Sequence, residues 1–172
     1  MTTTGRTTAT RAIALCGALL VVGVAYEPSA VADDAALNGK FLAQSNGEWA
    51  TTDNVYHDEA SIKSTWTIAM TCTNVVTCAG RVTSDAGWTA DIVTTNGEYD
   101  VQRELPNWEP CADGRTVTGH QRYRFYPVDE TGFLRPGSPL FAGFDHTSGH
   151  SGACSLNQKL EVEMPFRLER IG

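Results

Sequence analysis

Apolar and polar side chains alternate through most of this chain. From Ser61 to Cys72, the residues Ile62, Ser64, Trp66, Ile68, Met70 and Cys72 share one parity, and Lys63, Thr65, Thr67 and Thr71 share the other. Successive side chains of a strand leave on opposite faces, so this stretch predicts a strand with a mostly apolar inner side. Trp88–Thr94 repeats the pattern, with Trp88, Ala90 and Ile92 together. After Asn96-Gly97, Tyr99, Val101, Arg103 and Leu105 alternate with Glu98, Asp100, Gln102 and Glu104. An Asn-Gly pair favours the type I′ turn that matches strand twist, so Trp88–Leu105 predicts a hairpin. Thr116–Tyr126 predicts a long strand with Tyr123 and Phe125 inward, and Val117 and Gly119 as further inward candidates. In Lys159–Arg170, Leu160, Val162, Met164, Phe166 and Leu168 oppose Lys159, Glu161, Glu163, Pro165, Arg167 and Glu169. Gly39–Ala43, Glu48–Ala50 and Gly80–Ser84 read as shorter strands, the first two joined at Asn46-Gly47.

Three stretches read as loops. Asp53–Glu59 is polar. Pro106–Cys111 carries two prolines, which lack the N–H that a ladder requires. Pro127–Ser155 is rich in Gly, Ser and Pro, with Leu140, Phe141 and Phe144 expected to dock on the core; loops of this length in compact domains tend to be functional or mobile. Pro165, on the outward parity, suggests an edge or a bulge. Seven or eight short strands and few helical patterns predict one all-β domain. The short-turned meander favours a single antiparallel β-barrel of lipocalin-like type over a sandwich.

The N-terminus adds the compartment. Arg6 and Arg11 precede an apolar run from Ala12 to Ala25, followed by Ala30-Val31-Ala32. This predicts a signal peptide over residues 1–32, leaving residues 33–172 as a single secreted β domain with no transmembrane anchor after cleavage. Losing Arg6, Arg11 and Glu27 takes the formal net charge from −7 to −8. So acidic a chain argues against nucleic acid as a partner. The expected location is extracellular, free or associated with the cell wall. Export permits disulfides, and four cysteines remain after cleavage. Cys72 and Cys78 suit the tip of a hairpin, which leaves Cys111 to pair with Cys154. The spacings do not resemble those of zinc ligands.

Four constellations could carry chemistry. Ser151 among glycines, with His57 or His150 and an aspartate, would suggest a serine hydrolase, but Ala153 stands where the nucleophile elbow needs its second glycine. Asp145, His146 and His150 could suggest a metal, but Ser148 and Gly149 point to a loop without fixed ligand geometry. Glu98, Asp100, Glu104, Glu161 and Glu163 alternate with apolar residues and therefore belong to the solvated face. Arg103 shares parity with Tyr99 and Val101, so it reads as an inward charge that needs partners. Trp49, Trp66, Trp88, Trp108, Tyr99, Tyr123, Phe125 and Phe166 would line an apolar cavity in an open barrel, or form the core of a filled one.

The stretches GEWATTDNVYHDEASIKSTWTIAMTC, CAGRVTSDAGWTADI, NWEPCADGRTVTGHQRYRFYPVD and SGACSLNQKLEVEMPFRLERI together resemble a group of small exported proteins of mycobacteria and related actinobacteria. The strand–Cys–short loop–Cys–strand–Gly-Trp pattern is similar, more distantly, to extracellular sensor-type domains fused to some mycobacterial Ser/Thr kinases. The resemblance implies export and supports the disulfide pairing. It carries over no catalytic residue.

These readings converge on a secreted, non-enzymatic β-barrel that binds a small apolar ligand or an envelope component. The cavity would be lined by Trp66, Trp88, Tyr99, Arg103, Tyr123 and Phe125, with no cofactor and no metal. The alternative is an extracellular protein-interaction or structural module with a filled core, contacting its partner through Phe133–Ser155. A serine hydrolase using Ser151 is the third reading.

Overall fold

The computed structural model describes Met1, Thr2, residues 35–155 and residues 158–172. The expected signal peptide, apart from its first two residues, lies outside the described residues. Ten strands follow in order: β1 (Gly39–Ser45), β2 (Thr51–Thr52), β3 (Val55–Tyr56), β4 (Ile62–Asn74), β5 (Thr77–Ser84), β6 (Thr89–Thr95), β7 (Glu98–Pro110), β8 (Thr116–Pro127), β9 (Leu140–Ser148) and β10 (Glu161–Arg170). β1 and β4 to β10 form an antiparallel sheet of eight strands, and β1 pairs back onto β10 to close it. The result is a barrel, as the meander predicts, and not a sandwich. The small β2–β3 hairpin is added to β10 beyond the stretch that β1 covers. Among the described residues, helix is confined to two 3-10 turns, Gly47–Trp49 and Ala153–Ser155.

Closure follows from the alternation. Phe41, Trp66, Ile68, Val82, Ile92, Val101, Phe125 and Leu168 all point inward and are essentially solvent-free. Their partners on the other parity are Lys, Thr, Asp, Glu and Arg, so the outer face carries charge where a membrane barrel would carry an apolar band. On that face Arg124 pairs with Glu98 at 2.8 Å and Arg122 pairs with Asp100, across the β7–β8 ladder. Both ends of the barrel are closed. At one end Leu37 is buried and the Tyr99 hydroxyl donates to the Ala35 carbonyl at 2.8 Å. At the other, Trp108 lies over Gly119, where an added Cβ would stand 2.8 Å from the indole.

The disulfides pair as expected. Cys72 and Cys78 face each other across β4 and β5 with Cα atoms 3.9 Å apart, and Cys111 joins Cys154 at 5.1 Å.

Four local expectations are corrected. Pro106–Pro110 belongs to β7 and is not a loop. The β6–β7 ladder stops at Ile92↔Val101, so the rest of β7 has a neighbour on one side only, and there prolines leave no ladder bond unmade. Within that length Pro106, Asn107 and Trp108 face a single residue of β8, a bulge with Asn107 at positive φ that swings Trp108 over the barrel end. The expected Pro127–Ser155 loop contains β9, a strand with partners on both sides. Its inward positions are Phe141, Gly143, Asp145 and Thr147, so one hydrophobe stands where a strand pattern would show four. Glu48–Ala50 is not a strand; Gly47–Trp49 is a 3-10 turn capped by the Asn46 side chain. Val55–Tyr56, inside the polar stretch, forms β3. Pro165 sits where β10 exchanges β1 for β2, so its missing N–H falls between two ladders.

Candidate functional site

Alternation places Trp66, Trp88, Tyr99, Arg103, Tyr123 and Phe125 on the inside of the barrel. They fall into two layers. Tyr99 stacks on Phe125 at 5.4 Å, and both meet Phe141 edge-on. Above them Trp66 contacts Trp88 at 5.3 Å and Tyr123 at 4.9 Å, both edge-to-face. Phe166 bridges the layers, 5.4 Å from both Trp66 and Phe125. Centroid distances of this size are those of packed aromatic pairs. Trp66, Tyr99, Tyr123 and Phe125 are buried, while Trp88 and Arg103 are half-buried at the rim of the cluster.

The next layer is polar, and sequence reasoning found only one of its members. Arg103 on β7 lays its guanidinium over the Trp88 indole, 4.3 Å from the ring centre. Its Nε donates to Gln121 Oε1 at 2.6 Å. Gln121 Nε2 donates to Asp145 Oδ1 at 2.7 Å, and the Ser45 hydroxyl donates to Asp145 Oδ2 at 2.6 Å. Ser45, Gln121 and Asp145 are 3%, 3% and 1% exposed, so four strands contribute to one buried polar chain. Each acceptor fixes the next donor, which is how such a chain holds one geometry. Among the described residues, no buried side-chain nitrogen or oxygen lacks a partner. Burial pushes the Asp145 carboxyl above its usual range, and the Ser45 and Gln121 hydrogen bonds and the Arg103 charge pull it back only in part. Burial and the neighbouring Asp145 charge likewise keep the Tyr123 phenol protonated. A signal for Gln121 was available in its parity with Tyr123 and Phe125. Asp145 was hidden because β9 does not read as a strand.

A second feature lies outside the barrel. The loop after β8 folds back through the Val128↔Leu134 bridge and walls a groove over the outer faces of β8, β9 and β10. The groove encloses about 970 Å³. Its floor and wall are Tyr126, Ala142, Phe144, Pro165 and Leu134, with Arg122, Arg124, His146 and Glu163 around them. Phe144 is 52% and Leu134 67% exposed. Phe144, expected to dock on the core, instead points away from it.

The other constellations stay apart. His57 Nδ1 meets Glu59 at 2.9 Å, and Ser151 is exposed in a turn with no histidine bonded to it among the described residues. Glu98, Asp100 and Glu104 face outward opposite Arg124, Arg122 and His120. No group of three His, Cys, Asp or Glu side chains among the described residues is placed to hold a metal ion.

No protein-family model matches the chain, and no curated protein matches it. Among solved structures, the sensor domain of PknI from M. tuberculosis, in its monomer form, is similar with a TM-score of 0.57 and 13% identity, over 80% of this chain and 88% of that one. At this identity the likeness is one of fold. The distant sensor-domain resemblance seen in the sequence is thus present in the three-dimensional arrangement.

Proposed function

We propose that this chain is a non-enzymatic extracytoplasmic recognition module whose barrel is a scaffold and whose contact surface is the outer groove of β8–β10. The observation that carries this reading is the contrast between inside and outside. The interior is filled by the aromatic cluster and its polar layer, and both ends are closed. The outer face is charged or threonine-rich almost everywhere, yet Tyr126, Ala142, Phe144, Pro165 and Leu134 gather in one concave apolar surface. Contiguous exposed apolar surface of this kind marks interaction sites. Two disulfides suit an oxidising compartment, which supports export. The fold likeness to a sensor domain is consistent with recognition and supplies no reaction.

The test is site-specific photo-crosslinking in the secreting host. A photoreactive phenylalanine analogue replaces Phe144, or Val93 on the outer face of β6, which is 47% exposed. The expected result is a discrete higher-mass adduct from position 144 that is absent from position 93. Equal labelling at both positions, or none at 144, refutes the groove.

A further inference from the structure

The polar layer ends in a cation, Arg103, that makes no direct ion pair among the described residues. Arg81, Arg115, Arg122, Arg124 and Arg167 each have a carboxylate in ion-pair contact. Arg103 has none within that range among the described residues; its Nε donates to the neutral Gln121. The Tyr123 hydroxyl stands within side-chain hydrogen-bond reach of the same guanidinium. Arg103 is half-buried, so its guanidinium also meets solvent. It does so at a definite place. The β6–β7 ladder ends at Ile92↔Val101, so beside Arg103 the barrel wall is parted, and the Trp88–Arg103 stack spans the gap.

We propose that Arg103, Trp88 and Tyr123 form a lateral subsite for a small organic monocarboxylate with an apolar body. A guanidinium offers two parallel N–H donors that match a carboxylate fork. Gln121, held by the buried Asp145, fixes the Nε edge of Arg103, and the Tyr123 hydroxyl beside the guanidinium adds a further donor. Half-buried Trp88 and Leu105 take the apolar body. The charge balance selects a single negative charge. One guanidinium serves the subsite, Asp145 stands behind Gln121, and the whole chain carries −7, so a dianion meets net repulsion. This subsite is independent of the outer groove.

The experiment is a titration of the intact disulfide-bonded protein with 4-phenylbutyrate and, in parallel, with its neutral amide. Nuclear magnetic resonance reads the Arg103 Nε–H and Trp88 indole N–H signals. The expected result is saturable shifts of both signals with the acid, at an affinity at least about tenfold above that of the amide, and loss of the acid's advantage in R103Q. Equal binding of acid and amide overturns the anion site, and so does the absence of saturable shifts with the acid. If R103Q fails to fold, the wild-type comparison of acid with amide decides alone.

Discussion

Asp145→Ala tests whether the buried polar chain organises the barrel. The carboxylate accepts from Gln121 and Ser45, both buried. Removing it leaves the Gln121 amide and the Ser45 hydroxyl without acceptors, at about 1–3 kcal/mol for each buried group. It also takes away the nearest buried countercharge to Arg103. With two such groups, the expected loss is about 2–6 kcal/mol. Asp145→Asn keeps the volume. Its carbonyl oxygen accepts from Gln121 and its amide donates to Ser45, whose hydroxyl rotates to accept. The expected loss is then about 1 kcal/mol or less. Urea titration followed by tryptophan fluorescence, with the disulfides intact, reads both variants as shifts in midpoint at unchanged slope. An Ala variant within about 1 kcal/mol of wild type would show that the chain is incidental to stability. Equal losses for Ala and Asn would show that charge, not hydrogen bonding, is what the fold uses.

The same pair predicts a pH dependence. Burial raises the Asp145 carboxyl in the folded chain above its unfolded value, so between the two values the folded state holds more protons. The stability from this group therefore falls as pH rises through that window. Asp145→Asn cannot ionise, so its midpoint should improve relative to wild type from acid to neutral pH; a constant difference contradicts the raised carboxyl. Gly143→Ala should cost about 3 kcal/mol, because its Cβ would press on the Arg124 carbonyl and stand 2.6 Å from Phe125 Cα. Loss of less than about 1 kcal/mol in the same urea assay would mean that the close approach of β8 and β9 relaxes freely.

Most of the barrel was legible because its strands obey a period of two. β4, β6, the first half of β7, β8 and β10 keep their apolar residues on one parity, and that parity faces the core. β9 was illegible for a physical reason. Its inward positions answer tertiary demands: Gly143 permits close backbone approach, and Asp145 and Thr147 meet polar partners or the barrel end. Gly143 and Asp145 do not read as strand residues in isolation, and Thr147 adds no apolar position to the pattern. The prolines of β7 misled in the opposite direction, since only the early end of the β6–β7 ladder makes them tolerable. Arg103 was visible as an inward charge, but the polar chain it starts runs from Gln121 on β8 to Asp145 on β9 and Ser45 on β1, which lie far apart in sequence. The groove depends on how the segment after β8 folds back, which alternation along any one strand does not encode.

Native mass spectrometry of the protein purified from its own host tests the filled scaffold most directly. The expected result is the mass of the chain with two disulfides and no adduct in the mass range of a lipid. A reproducible, stoichiometric adduct of that size would mean that the interior opens to hold a ligand of lipid size, and would contradict the filled aromatic core.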